Sequence, residues 1–149
     1  MRKLLLPVDG SDHSLSAVRH VIKLHRNNEP LEIHLLNVQP PVRGDVTAFV
    51  PQEVVDDFHI EEGEKALVAA RKLLDDAGVP YKKHIHVGNA AEVIAHMARD
   101  LRCDEVIMGT HGFGTVAQVL LGSVSHEAIH QMDPKIPVTL IKAEKARAA

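Results

Sequence analysis

Short apolar runs alternate along the chain with longer segments in which apolar residues recur every three or four positions. Short runs are typical of buried strands, whereas spacings of three and four predict helices with one buried face. The chain therefore predicts five strands separated by four helices. The predicted strands are Arg2–Asp9, Leu31–Val38, Tyr81–Val87, Asp104–Gly109 and Val138–Lys142.

Capping and turn residues set the bounds of the predicted helices. The first helix starts after Ser11 or Asp12 and ends before Asn27-Asn28, and the second runs from about Pro51 to Ala77, before the stop at Gly78. The third starts after Asn89, which with Glu92 resembles a capping box, and the fourth covers Val124 to Met132. Gly63 lies inside the second helix and costs about 1 kcal/mol relative to alanine, so a break there is considered.

Strands that alternate with helices of ten or more residues imply a parallel sheet with helices on both faces. Ligands of such sheets bind beyond the carboxyl ends of the strands, where the strand order reverses. The loops after the first and fourth strands, around Asp9 and Gly109, are the candidates. The third strand is the most polar one, which favours a place at an edge of the sheet.

Composition narrows the class of protein. With 149 residues, 45% of them apolar, the chain fits one globular domain, and a net charge of −3 argues against a nucleic-acid partner. Three leucines near the start are too few for a signal peptide, and no run approaches a membrane span. The single cysteine, Cys103, suits a reducing compartment, so we expect a cytoplasmic protein without membrane contact.

Glycines and serines cluster between the fourth strand and the fourth helix, in Met108–Gly114 and Leu121–Ser125. Glycine lets a ligand approach the backbone closely, and a helix N-terminus offers unpaired N–H groups to an anion. The cluster therefore suggests a phosphate cradle. Two ordinary loop turns are the alternative interpretation.

Two common phosphate motifs fit poorly. The chain has no G-x4-G-K-[ST] sequence, which excludes a Walker A loop. Gly112 to Ala117 matches the alanine variant of the dinucleotide fingerprint. It follows the fourth strand instead of the first, and the acid at the required distance, Asp133, precedes a proline in a turn. A dinucleotide domain of the NAD type stays open as an alternative.

A third pattern, Gly109-x2-Gly112-x9-Gly122-Ser123, is met at every position. In it the chain resembles the universal stress protein family, in its ATP-binding branch. The resemblance extends to Leu6–Asp9, to Val38, and to Pro137–Ile141 near the end. It implies one domain over residues 1–143. It also implies an open five-stranded sheet of order 3-2-1-4-5, of the adenine nucleotide alpha hydrolase-like type. The last residues, 144–149, are rich in Ala, Lys and Arg, and we expect them to form a flexible tail.

The resemblance also implies a set of nucleotide-binding residues. Asp9 would meet the adenine edge, Val38 would close over the base, Met108 would lie beside the ribose, and Gly122 would hold phosphate through its backbone. The full set is Pro7, Val8, Asp9, Val38, Met108, Gly109, His111, Gly112, Gly122, Ser123, Val124 and Ser125. His111 either bonds a phosphate or faces solvent, Ser125 is a weaker member, and Asp9 has a second possible role as a helix cap.

ATP is the ligand that the resemblance implies, with Mg²⁺ or Mn²⁺ between the phosphates. It further implies a homodimer paired through Val138–Ile141. The phosphate loop contains no lysine, and no arginine finger or carboxylate base beyond Asp9 is evident, so we predict no catalytic residue and at most slow hydrolysis. The function expected is ATP-dependent regulation in a stress response. The alternative within the family is a dimeric interaction module that binds no nucleotide.

Eleven histidines raise the question of a metal site. No H-E-x-x-H spacing occurs, and one cysteine allows no tetrahedral Cys/His site. His84 and His86 share one face of the third predicted strand, and without a third ligand we interpret them as facing solvent. Ser123 and Ser125 beside His126 lack the G-x-S-x-G elbow, so nucleophilic catalysis is not predicted.

Overall fold

The computed structural model describes residues 1–42, 44, 48–110 and 123–142, with Ser123 described by its backbone alone. The predicted alternation of strands and helices is confirmed. The elements are β1 (Arg2–Pro7), α1 (Asp12–Arg26), β2 (Leu31–Gln39), α2 (Gln52–Asp76), β3 (Lys82–Val87), α3 (Ala90–Asp100), β4 (Glu105–Gly109), α4 (Ser123–Gln131) and β5 (Val138–Ile141). The predicted tail, residues 144–149, lies outside the described residues.

The strands form one parallel sheet in the order β3-β2-β1-β4-β5, as predicted. β1 lies at the centre and pairs with β2 from Arg2↔Leu31 to Pro7↔Leu36. On its other side β1 pairs with β4 at Leu4↔Glu105 and Leu5↔Val106. The polar β3 lies at an edge, also as predicted. None of the helices described is both long and apolar enough to span a membrane.

Helices cover both faces of the sheet. Since successive side chains of a strand point to opposite faces, the central strand contributes to a core on each face. Leu4 and Leu6 of β1 belong to a core cluster shared with Leu15 of α1 and Leu67 of α2. Leu5 belongs to a second cluster on the opposite face. Its helical members include Ala91, Ile94 and Ala98 of α3 and Ala128 of α4. Leu4, Leu5 and Leu6 are fully buried, which explains the continuous apolar run of the central strand.

The predicted second helix is confirmed as α2, and the break considered at Gly63 does not occur. A Cβ at this position would lie 2.6 Å from Cγ2 of Ile85 on β3. That distance is too short for any real side chain, and Cγ2 sits on a stiff β-branched residue. The absence of a side chain at Gly63 is therefore what allows α2 to pack closely on the edge strand.

The interpretation of His84 as a solvent-facing side chain is wrong. His84 is half-buried, and its Nε2 lies 2.8 Å from Nδ1 of the buried His34 on β2. Nε2 of His34 lies 2.9 Å from the Glu32 carboxylate. The sequence did not reveal the pair because His34 lies within an apolar run. His86 is exposed, and no three His, Cys, Asp or Glu side chains of the described residues converge as a metal site requires.

Acidification should weaken the pairing of β3 with β2. Burial lowers the pKa of His84 below its usual 6.5, and His34, His86 and Lys82 lower it further. The unfolded chain therefore takes up this proton at a higher pH than the folded protein does. The free energy of unfolding is then expected to fall as the pH drops below about 6.5. Urea unfolding between pH 7.5 and 5 measures this dependence.

The His84→Gln variant is the control, since glutamine does not titrate. Its free energy of unfolding should fall less steeply over the same range. Parallel curves for the two proteins would contradict the assignment of this dependence to His84.

Candidate functional site

The order of the strands reverses between β1 and β4, which places a crevice at the carboxyl ends of these two central strands. Backbone pairing between them stops at Leu5↔Val106, whereas β4 continues to Gly109 along β5. β2 continues to Gln39, beyond the end of β1 at Pro7. We call the region bounded by Asp9, Val38, Gly109 and the start of α4 the carboxyl edge.

The turn from β1 to α1 is held by a network of short side chains. Asp9 Oδ1 accepts hydrogen bonds from the Ser11 N–H at 2.9 Å and from the Ser11 hydroxyl at 2.5 Å. Ser11 is the N-cap of α1 and accepts from the N–H of Ser14 at 3.4 Å. The Ser14 hydroxyl donates to the Ser11 carbonyl at 2.9 Å. Asp9 therefore stabilises the helix start through Oδ1, and its exposed position leaves the carboxylate open to solvent.

Gly10 allows this turn to form. Its φ of +87° lies in the left-handed region that favours glycine. A Cβ on Gly10 would lie 3.4 Å from the Ala66 backbone of α2, so the turn also lies close against that helix. The left-handed conformation of Gly10 and its close approach to α2 thus both constrain the turn that follows Asp9.

Gly109 ends β4 where three elements meet. A Cβ here would lie 2.5 Å from the carbonyl oxygen of His13, in the first turn of α1. The buried Ser125 of α4 donates its hydroxyl to the Gly109 carbonyl at 3.0 Å. From the sequence alone, a glycine at position 109 is expected to let a ligand approach the backbone. The structure shows a packing reason, since only glycine lets α1 come this close.

Val38 presents its backbone towards the end of β1. In a parallel ladder, alternate residues direct both N–H and C=O to the same neighbour. The Leu36 carbonyl accepts from Val8 N–H at 2.8 Å, on the β1 side, whereas the Gln39 carbonyl accepts from Gly88 N–H at 2.9 Å, past the end of β3. Val38 has the parity of Leu36, so its N–H and C=O point to the β1 side, where β1 has already ended.

The predicted site residues divide into two groups. Pro7, Val8, Asp9, Val38, Met108, Gly109, Val124 and Ser125 are described, and they lie at the strand ends or on the first turn of α4. Val8 and Met108 are buried, whereas Val124 is exposed. His111, Gly112, Gly122 and the side chain of Ser123 lie outside the described residues, so their predicted roles stay predictions.

α4 begins at Ser123, and the bond from Ser125 to Gly109 places this beginning at the end of β4. The N–H groups of a first helical turn have no partner within the helix. They carry the positive end of the helix dipole. The arrangement can thus bind an anion at the same edge where Val38 offers a backbone donor and acceptor.

Comparison with known proteins identifies the family. Residues 1–142 match the model of the universal stress protein family. The chain belongs to this family. It is 31% identical to universal stress protein MJ0531 of Methanocaldococcus jannaschii over 146 residues, which cover 97% of the chain and 84% of that protein.

Solved structures agree with the fold. The structure of hypothetical protein MJ0577, from the same organism, has a TM-score of 0.76 at 28% identity, over 97% of this chain and 98% of that one. A universal stress protein family protein of Arabidopsis thaliana with AMP bound has a TM-score of 0.69 over 97% of this chain and 93% of that one. At 18% identity, the latter shows the fold alone.

Proposed function

We propose that this universal stress protein binds ATP at the carboxyl edge and acts in the cytoplasm as a nucleotide-dependent regulator of a stress response. The observation that carries the proposal is the convergence of Asp9, the Val38 backbone, Gly109 and the start of α4 where the strand order reverses. The spacing Gly109-x2-Gly112-x9-Gly122-Ser123, which resembles the ATP-binding branch of this family, supports an adenine nucleotide as the ligand class.

The base is expected beside Val38. Its N–H and C=O point past the end of β1, as the ladder bonds of Leu36 and Gln39 indicate. One donor and one acceptor side by side match the adenine edge, which offers N1 as an acceptor and the N6 amino group as a donor. The half-buried Val38 side chain packs against the second core cluster, which contains Leu5 and Ile94. This packing holds the end of β2 in place.

The phosphates are expected at the start of α4. The spacing Gly109-x2-Gly112-x9-Gly122-Ser123 leads into this helix, and its first-turn N–H groups suit an anion. The loop between Gly109 and Ser123 contains no lysine or arginine. A bound Mg²⁺ or Mn²⁺ would neutralise charge on the phosphates, as magnesium does at sites where phosphate supplies several of its ligands.

Binding fits this set of residues better than phosphoryl transfer does. Phosphoryl transfer relies on cationic side chains and a group that positions the nucleophile. Asp9 is the carboxylate of the set, and its Oδ1 is already engaged by Ser11. Bound ATP would therefore act as a signal, with hydrolysis at most slow.

Calorimetric titration with ATP, AMP and adenosine in the presence of Mg²⁺ tests the proposal. The native protein should bind ATP most tightly, because the helix start interacts with the phosphates. The Gly122→Val variant places a branched side chain where the backbone approaches phosphate. Its ATP affinity should fall by at least about tenfold, the equivalent of one or two lost hydrogen bonds to a charged group.

Adenosine is the internal control, since its affinity should not change in the Gly122→Val variant. Equal ATP affinity in both proteins would refute the phosphate cradle. Tighter binding of NAD than of ATP would favour a dinucleotide domain. No nucleotide binding at all would leave a family member that acts through protein contacts.

We further infer a homodimer formed through β5. Within the described residues β5 pairs with one strand, β4, so its other side is an edge. The Pro137 carbonyl accepts from Val106 N–H at 3.0 Å and the Ile141 carbonyl from Thr110 N–H at 3.3 Å. By alternation, Val138 and Leu140 direct their N–H and C=O outward, where the β5 of a second copy would pair.

Leu140→Pro should convert such a dimer to a monomer. Proline removes the outward N–H of residue 140 and leaves the ladder to β4 intact. Leu140→Ala is the matched control, because it loses similar packing and keeps the N–H. Sedimentation equilibrium should show a monomer for the proline variant and a dimer for the alanine variant. The same assembly state in both would contradict pairing through β5.

A further inference from the structure

Asn37 is a buried polar residue of β2 that the predicted site did not include. It is 2% exposed and lies close to the carboxyl end of β2. Its Nδ2 donates to the Val8 carbonyl at 2.9 Å, and its Oδ1 accepts from Gln39 Nε2 at 2.6 Å. Both polar atoms of the amide are therefore hydrogen-bonded, as burial demands.

The bond to Val8 lies at the point where the ladder between β1 and β2 would continue. The ladder has just formed the bond from Val8 N–H to the Leu36 carbonyl. The next bond of a regular parallel ladder would run from Val38 N–H to the Val8 carbonyl. Among the described residues, the Val8 carbonyl instead accepts the hydrogen bond from Asn37 Nδ2, and no backbone hydrogen bond joins Val38 to Val8.

We propose that Asn37 is a positioning residue that sets base specificity. Its side-chain amide donates to the Val8 carbonyl, so the ladder between β1 and β2 ends there and the Val38 N–H stays available to a purine base. The part that concerns the base rests on the function proposed above. The part that concerns the Val38 N–H does not, so the two can fail separately.

A free Val38 N–H would make the site selective at one position of the purine ring, N1. A free Val38 N–H donates to N1 of adenine, which is an acceptor. In inosine triphosphate N1 carries a proton, so two donors would face each other, and an unpaired polar group is expensive. The native protein should therefore bind ATP at least about tenfold more tightly than ITP.

The first experiment is amide hydrogen exchange of the protein without nucleotide, followed by NMR. The Val38 amide should exchange at least about tenfold faster than the Leu36 amide, which lies within the ladder. In Asn37→Leu the Val8 carbonyl is free, so Val38 can bond to it, and its exchange should slow. Native protection of Val38 equal to that of Leu36 would overturn the proposal, even if no variant folds.

The second experiment compares ATP and ITP affinities in three variants. Asn37→Leu removes the donor, and Asn37→Asp keeps the shape but offers Val8 no N–H. In both, the preference for ATP should fall from tenfold or more to less than about threefold. Gln39→Met is the matched control, since it removes only the bond to Asn37 Oδ1 and should keep the preference.

The results of the two experiments distinguish the effect of Asn37 on the Val38 N–H from its effect on base specificity. A merely structural role for Asn37 would weaken ATP and ITP alike and leave their ratio unchanged, which would refute the positioning role. Rapid exchange of Val38 with no binding of either nucleotide would refute the proposed ATP binding, and with it the role in base specificity. It would leave the ladder-ending role of Asn37 standing.

Discussion

The pairing of the central strand β1 positions the candidate site at one edge of the sheet. β1 pairs with β2 up to Pro7 but with β4 only as far as Leu5. Each strand beside it continues further, and among the described residues no backbone bond joins Val38 of β2 to Val8 after β1. A ladder that continued on both sides would satisfy the backbone groups of Val38 internally. The availability of the Val38 N–H and C=O at this edge depends on the early end of β1.

The residues at this edge also stabilise the fold. Asp9 caps the turn before α1 through Ser11, and Gly109 admits the first turn of that helix. Ser125 then attaches α4 to the end of β4. These described groups belong to the proposed nucleotide site, and contacts within the protein already hold them in place. Preorganisation of this kind reduces the ordering cost of binding.

Apolar runs and caps are local signals, and from them the sequence predicted most element bounds. The strand order was implied by the resemblance to the universal stress protein family. The sequence did not reveal why position 63 is a glycine, since the reason is the contact with Ile85 on another element. It was wrong about His84 for a similar reason, because the partner His34 is on a neighbouring strand. Asn37 looks like an ordinary polar residue in a strand, and only the bond to Val8 distinguishes it. Contacts between distant segments were what the pattern could not show.

We propose that three strand ends and one helix start form a single nucleotide site. An NMR titration with ATP and Mg²⁺ tests it most directly. The amide signals of Gly10, Val38, Gly109 and Val124 should shift together along one binding curve. Shifts confined to another surface, such as the cleft beside Glu92 and Arg99 of α3, would contradict it.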